Sequence, residues 1–266
     1  MTLLTIVSVV KDDPRGLEST LRSITEQGAE DIEVIVLDGS ADRTSVEMVA
    51  AQHPAARVVW SPPEGIYPAM NSGLRETSGQ YVYFLNAGDT LASGEVLPEI
   101  VTRLASEQPV WAFGKVAFLT VSGDPMPEPE WSYDVERSHL FARGRFPAHQ
   151  GVIMATERLR GIGGFDTAYT VAADYAAILT FATISDPLSL DIVMARFQQG
   201  GLSTKKWHLA QQEFHRARRS AFRPHGRAAV AEWLRTQEGI VKMAAYRALW
   251  AEGRPAHRAV AALRPK

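Results

Sequence analysis

Cysteine is absent from the 266 residues of this chain. Disulfide frameworks, thiolate metal sites and cysteine nucleophiles are therefore excluded. Long apolar runs are missing too: no stretch approaches the roughly 18–20 residues a membrane-spanning helix needs. The apolar stretch at the N-terminus is short, and no basic region precedes it. Lys11-Asp12-Asp13 follows in place of a small-residue cleavage site, so no signal peptide is expected and the cytoplasm is the expected location. No G-x-G-x-x-G follows the first apolar segment; Gly161-Ile162-Gly163-Gly164 lies too late and does not match. A G-x-x-x-x-G-K-S/T loop is also absent. Dinucleotide fingerprints and P-loops are thus excluded.

Acidic charge is scarce at one end. Residues 205–266 hold 14 Lys+Arg, 4 Glu and no Asp, a net of +10. The first 204 residues hold the other 14 basic and 26 acidic residues (28 − 14 and 30 − 4), a net of −12. An acidic body with a basic tail has a net charge of only −2 and an ordinary 45% of apolar residues. The length suits one large domain or two small ones. The acidic body and the lack of a recognition motif argue against a nucleic-acid partner.

The first hundred residues alternate two kinds of pattern. Residues 3–10, 32–37, 57–60 and 81–85 are apolar and rich in β-branched or aromatic side chains, as buried strands are. Between and after them lie helical patterns at 14–24, 42–52, 67–76 and 95–106. Asp13-Pro14 opens the first helix with a cap and a proline suited to a first turn. Strands separated by helices of this length predict an α/β fold with a mainly parallel central sheet flanked by helices. Ligands of such sheets bind beyond the carboxyl ends of the strands. Three of those ends, Lys11-Asp12, Asp38-Gly39-Ser40 and Asn86-Ala87-Gly88-Asp89, carry carboxylates, and Glu64 follows the other. Asp38 can close a turn, Asp89 can cap a helix after Thr90, and Asp42 reads as a structural cap. Yet several acids at one rim repel unless a cation, a donor group or a proton intervenes, which points to a ligand.

Six segments in order carry a specific resemblance. They are residues 36–44 around Asp38-Gly39-Ser40; Ser61-Pro62-Pro63-Glu64-Gly65-Ile66-Tyr67-Pro68-Ala69-Met70-Asn71-Ser72-Gly73; residues 79–89, ending in Asn86-Ala87-Gly88-Asp89; Phe146-Pro147-Ala148-His149-Gln150; Gly163-Gly164-Phe165-Asp166 followed by Ala172-Ala173-Asp174-Tyr175; and Gln199-Gly200-Gly201-Leu202-Ser203. Together they resemble the inverting family-2 glycosyltransferases of GT-A fold, in the subgroup acting on bacterial exopolysaccharides and glycolipids. The resemblance covers residues 5–204. It implies a GT-A catalytic domain over 1–204, with a nucleotide-binding half at 1–90 and an acceptor half at 91–204, and a basic helical extension over 205–266.

The resemblance also implies roles. Asp38, Ser40, Glu64, Gly65, Asn71, Asn86 and Asp89 would bind the donor, a nucleoside-diphosphate sugar, with UDP-linked sugars favoured. Asp174 would be the general base that deprotonates the acceptor hydroxyl, and partial burial at the start of an apolar helix is expected to raise its pKa. His149 and Gln150 would contact the acceptor or a phosphate. Mg²⁺ or Mn²⁺ would be the cofactor, with Asp89 as its ligand. The family's D-x-D positions hold Asn86 and Gly88 here, and Asn is a weaker ligand than Asp for a hard cation. Pro63-Glu64 and Pro68 also depart from the subgroup's acids around Gly65 and Tyr67. The acceptor would be a glycan or a lipid-linked molecule. No Q-x-x-R-W motif follows Asp174, so transfer of one sugar per acceptor is expected rather than processive synthesis.

The segments at 121–131 and 214–250 complete the reading. The first is rich in proline and acids and predicts a surface loop, with Trp131 and Tyr133 as a stacking platform or as packing. Residues 214–223 and 228–250 predict two helices around Pro224-His225-Gly226. They either pack on the catalytic domain or attach it peripherally to an anionic membrane face. Two other functions stay open: a catalytically weak nucleotide-sugar-binding module, which the eroded D-x-D positions favour, and a nucleotidyltransferase on a related sheet.

Overall fold

The structure is a computed structural model that describes residues 2–120, 122–126, 146–198 and 206–250. Trp131, Tyr133 and the 199–203 segment lie outside the described residues. The elements run β1 (Leu4–Val10), α1 (Pro14–Thr25), β2 (Ile32–Asp38), α2 (Arg43–Ala50), β3 (Ala56–Trp60), α3 (Ile66–Glu76), β4 (Tyr81–Phe84), β5 (Thr90–Leu91), α4 (Val96–Glu107), β6 (Trp111–Leu119), β7 (Val152–Ala155), α5 (Thr156–Gly161), α6 (Ala173–Ile184), β8 (Leu188–Gln198), α7 (Trp207–Phe222) and α8 (Gly226–Trp250). A short 3₁₀ turn, His149–Gly151, precedes β7.

The expected caps form. Asp13 Oδ1 accepts from the Gly16 N–H at 2.9 Å with Pro14 opening α1. Asp42 Oδ1 accepts from the Thr44 N–H at 3.0 Å at the head of α2. Each satisfies a donor that the helix itself cannot pair.

The sheet order is β3-β2-β1-β4-β7-β6-β8-β5. Strands β1 to β4 are mutually parallel, as the alternating pattern requires. The other half is mixed: β7 runs antiparallel to β4 and β6, β8 parallel to β6, and β5 antiparallel to β8. The α/β expectation is borne out, with a mixed rather than a wholly parallel sheet. Asp89 does not cap a helix; Thr90–Leu91 extend instead and pair with Ala195 and Arg196 of β8.

Alternate residues of β1 feed two cores. Leu4, Ile6 and Val10 pack with Leu17 and Leu21 of α1 and with Leu97 and Ile100 of α4. Val7 packs on the other face with Met70 and Leu74 of α3 and Ile178 of α6. A strand covered on both faces must be apolar at nearly every position, which is why residues 3–10 show no alternation.

The turn into β4 is bolted to the first two strands. Glu33 accepts from Thr5 Oγ1 at 2.7 Å, from the Ser78 N–H at 2.9 Å and from Ser78 Oγ at 2.9 Å. Thr5 Oγ1 in turn accepts from the Gly79 N–H at 2.9 Å. A Cβ on Gly79 would stand 2.7 Å from the Thr5 backbone nitrogen, which cannot yield without shifting β1. Gly79→Ala is therefore expected to lower stability by about 1–3 kcal/mol, the range for overpacking, seen as a lower urea midpoint at unchanged slope.

Candidate active site

The first part of the site is the rim where β1 and β2 end. Asp38 is buried there. One of its carboxylate oxygens accepts from the Ser40 N–H at 2.8 Å, a turn that an Asp side chain closes on its own backbone. Ser40 Oγ accepts from the Asp12 N–H at 2.8 Å, and Asp12 Oδ1 accepts from the Ala41 N–H at 3.0 Å. The two strand ends are thus tied by their own side chains. Glu64 and Gly65 are exposed on the loop before α3. Gly65 has φ of 130°, a region closed to side chains.

The second part is the turn after β4. The Asp89 N–H donates to Asn86 O at 2.9 Å, with Gly88 at φ of 92° between them. Thr20 of α1 supports the turn from behind: its hydroxyl donates to Asp89 O at 2.7 Å and accepts from the Gly88 N–H at 3.1 Å. Asn86 Oδ1 accepts from the Val9 N–H at 3.3 Å. Because β2 and β4 flank β1, Asp38 and Asn86 stand two strand spacings apart, about 10 Å. Burial pushes the Asp89 carboxyl up to about 6, against the opposing pull of His149 and a hydrogen bond from Gln150.

The third part comes from much later in the chain. His149 Nδ1 lies 3.2 Å from Asp174 Oδ2, and its Nε2 lies 3.5 Å from Asn86 Nδ2. Tyr67 of α3 donates its hydroxyl to Asp174 Oδ1 at 2.9 Å, and the Tyr175 N–H donates to the same oxygen at 2.8 Å. Met70, Phe84, Phe165 and Ile178 line the space beneath His149 and Asp174. Gln150 is anchored by its backbone, whose carbonyl accepts from Tyr83 Oη at 2.6 Å. The turn after β4, the His149 turn and the head of α6 therefore meet at one place.

The expected direction of the Asp174 pKa is overturned. Burial does push the carboxyl up, but the bond with His149, its charge, and the Tyr175 N–H and Tyr67 hydroxyl outweigh it, and the net shift is downward. His149 is moved the opposite way. Burial disfavours its charged form, but Asp174 and, more distantly, Asp89 raise its pKa. Tyr67, raised by burial and by Asp174, stays protonated and keeps the proton that it donates to Asp174.

Asn71 faces elsewhere. Its Nδ2 donates to Phe165 O at 2.7 Å and its Oδ1 accepts from the Phe165 N–H at 2.8 Å. The amide thereby clamps the Gly163-Gly164-Phe165 loop to α3. A Cβ on Gly164 would stand 2.5 Å from Asn71 Oδ1, and its φ of 76° also calls for glycine.

Three supporting residues carried no role in the sequence reading. Tyr67 lies inside the segment quoted for the resemblance, two residues after Gly65, and that proximity was its signal. Thr20 falls on the buried stripe of α1, where a hydroxyl among leucines marks a special contact. Glu213, buried in a basic segment, is the only acid of α7. Among the described residues no group of three or more His, Asp or Glu side chains is gathered to hold a metal ion. The turn after β4 offers the Asp89 carboxylate and the Asn86 oxygen, and the latter is already engaged by the Val9 N–H.

Comparison with known proteins gives the family. The family model described as glycosyl transferase family 2 matches residues 5–155. An uncharacterised glycosyltransferase of Mycobacterium tuberculosis is 26% identical over 208 residues, covering 76% of this chain and 78% of its own. A PGL/p-HBAD biosynthesis glycosyltransferase of Mycobacterium bovis is 26% identical over 199 residues, covering 70% and 73%. Among solved structures, the mannosyltransferase PcManGT of Pyrobaculum calidifontis, in complex with GDP-Man and Mn²⁺, superposes with a TM-score of 0.65 at 20% identity, over 97% of this chain and 78% of that one. S. aureus TarS 1–349 with UDP-GlcNAc gives a TM-score of 0.65 at 14% identity, over 96% and 77%. Against a longer TarS chain, with a TM-score of 0.64, this chain spans 43% of the length. With the six ordered segments and the match over more than half its length, the chain belongs to glycosyl transferase family 2.

Proposed function

We propose that this chain is an inverting, non-processive glycosyltransferase that moves a sugar from a nucleoside diphosphate to an acceptor hydroxyl. The observation that carries the reading is the meeting of Asp174 and His149 beside Asn86 and Asp89. In this scheme Asp38, Ser40, Glu64 and Gly65 hold the nucleoside side of the donor beyond β2 and β3. The diphosphate lies along the ends of β1 and β4, towards Asn86 and Asp89. Asp174 takes the proton from the acceptor hydroxyl as its oxygen attacks the anomeric carbon. The bond from that carbon to the diphosphate oxygen breaks, the electron pair leaves with the diphosphate, and the single displacement inverts the centre. His149 and Gln150 lie between base and diphosphate, where a raised His149 pKa favours a cation facing the developing negative charge.

A divalent cation fits this site through one carboxylate. Mg²⁺ commonly takes one or two carboxylates together with substrate phosphates. Asp89 would hold it; burial raises its pKa against the pull of His149, and a bound cation would favour its charged form. When bound, Mg²⁺ or Mn²⁺ would neutralise charge on the departing diphosphate. The neighbours in complex with GDP-Man and UDP-GlcNAc make both guanosine and uridine donors worth testing. A glycolipid or polysaccharide acceptor agrees with the relative named for PGL/p-HBAD biosynthesis.

The C-terminal helices support a peripheral membrane contact as part of the same proposal. No described helix is long and apolar enough to cross a membrane. On α8, Val230, Trp233, Leu234 and Val241 recur at helical spacing and are exposed. Arg227, Arg235 and Lys242 share that helix. Apolar anchors with basic neighbours suit an anionic lipid surface, at about 1 kcal/mol per Lys or Arg near the lipid.

Three outcomes are expected. Release of nucleoside diphosphate from a panel of UDP- and GDP-sugars, with and without Mg²⁺ or Mn²⁺, identifies the donor; Asp174→Asn then keeps donor affinity by calorimetry and loses roughly 10²–10⁴-fold in turnover, as for a lost general base. An Asp174→Asn chain with normal turnover sinks the base assignment. Tyr67→Phe removes a donor that holds the Asp174 carboxyl low, so that carboxyl protonates at higher pH. A base acts only when ionised, so the acidic limb of the kcat/KM profile moves to higher pH; an unmoved limb means Tyr67 does not tune the base. Binding to phosphatidylserine vesicles falls as salt rises and is weaker for the surface double variant Trp233→Ser, Leu234→Ser, whereas equal binding by that variant removes α8 from the membrane contact.

A further inference from the structure

Helix α7 is fastened to the loop that leads into α6, and the fastening is polar. Glu213 is almost fully buried. Its two carboxylate oxygens accept from the Thr170 and Val171 N–H groups, each at 2.8 Å. Those donors lie just before Ala172, the first residue of the α6 head, where no side chain caps the helix. A few residues on, Arg216 donates to Ala168 O at 2.8 Å and its guanidinium lies 4.0 Å from the centre of the Tyr169 ring. The run 168–171 is therefore held from one side by three residues' worth of backbone contacts to a single helix.

The same helix reaches both sides of the proposed base. The Phe214 ring packs on Tyr175 at 4.6 Å and on Phe146 at 5.2 Å between centres, and Phe146 packs on Tyr175 at 4.6 Å. Tyr175 follows Asp174, and Phe146 comes three residues before His149. Arg218, also buried, pairs with Glu232 at 2.6 Å and donates to Thr236 Oγ1 at 3.0 Å, which locks α7 to α8. Burying a carboxylate is costly unless it is hydrogen-bonded. An apolar residue at 213 would cover the same surface at less cost, but it would leave two backbone donors unpaired and the loop free to choose another path.

We propose that Glu213 is a positioning residue of the transfer reaction: by gripping the Thr170 and Val171 N–H groups it sets where α6 begins and so where Asp174 stands against His149 and Tyr67. The inference rests on the reading of Asp174 as the base, and it assigns to the basic C-terminal segment a part in the site itself. A displacement of about 1 Å at a reacting group can cost on the order of 10²-fold in rate. Glu213 touches neither donor nor acceptor in this scheme; it acts through the backbone.

The test uses the full chain and two variants. Glu213→Gln keeps the shape and one accepting oxygen, and Glu213→Ala removes both acceptors. With the nucleotide sugar that the wild-type chain hydrolyses as probe, kcat is expected to fall roughly 10- to 100-fold in Glu213→Ala and less in Glu213→Gln, at unchanged donor KM. The Asp174 carboxyl, followed by ¹³C NMR, is expected to titrate at higher pH in both, because it loses its fit to His149 and Tyr67. A folded Glu213→Ala with wild-type kcat and an unmoved Asp174 titration overturns the proposal. So does a loss of kcat accompanied by an equal loss of donor affinity, since that reports general unfolding. If Glu213→Ala fails to fold, Glu213→Gln decides by the same two readouts. If Asp174→Asn turns over normally, the base reading falls on its own, and the Asp174 titration in Glu213→Gln still decides whether Glu213 positions that side chain.

Discussion

The site is organised around one partly buried carboxylate that is held towards its charged form. Asp174 sits over an apolar floor, where burial alone would favour its neutral form. Four interactions reverse that: the bond to His149, the charge of that ring, the Tyr175 N–H and the Tyr67 hydroxyl. They arrive from the His149 turn, the head of α6 and α3, three elements that no short stretch of chain brings together. Each of the three that shifts away weakens the hold on the charged form, so the places of α3, the His149 turn and the head of α6 are tied to this one group.

That constraint explains the other buried polar contacts. Thr20 shapes the Asn86–Asp89 turn, Asn71 clamps the Phe165 backbone, and Glu213 grips the approach to α6. Each replaces an apolar contact with a directional one at a loop that touches the site. Apolar packing fixes helices against the sheet but is indifferent to the path of a loop. A hydrogen bond to a specific backbone group selects one path, because the alternative leaves that group unpaired. The turns at the strand ends thus sit on the sheet, yet their last few ångströms are set by side chains from behind.

Much of the first half was legible in the chain itself. The unbroken apolar run at 3–10, the Asp13-Pro14 and Asp42 caps and the helix lengths all carry local physical causes, and β1 to β4 with α1 to α4 follow them within a residue or two. The sheet's other half was not legible. Antiparallel β7 and the two-residue β5 depend on partners far along the chain, and Asp89 looked equally suited to capping a helix. The direction of the Asp174 pKa shift was misread for the same reason: its burial follows from the apolar helix around it, but His149, 25 positions earlier, and Tyr67, 107 positions earlier, are invisible locally.

Sequence alone determined the family, the parallel strands and the carboxylates waiting at their ends, since these rest on patterns a few residues long. Tertiary structure alone decided which groups meet: that His149 joins Asp174 to the turn after β4, that Asn71 serves the Phe165 loop, and that the basic C-terminal helix grips the segment before Asp174. Contacts between positions tens of residues apart are set by how the layers stack, and no local preference encodes them.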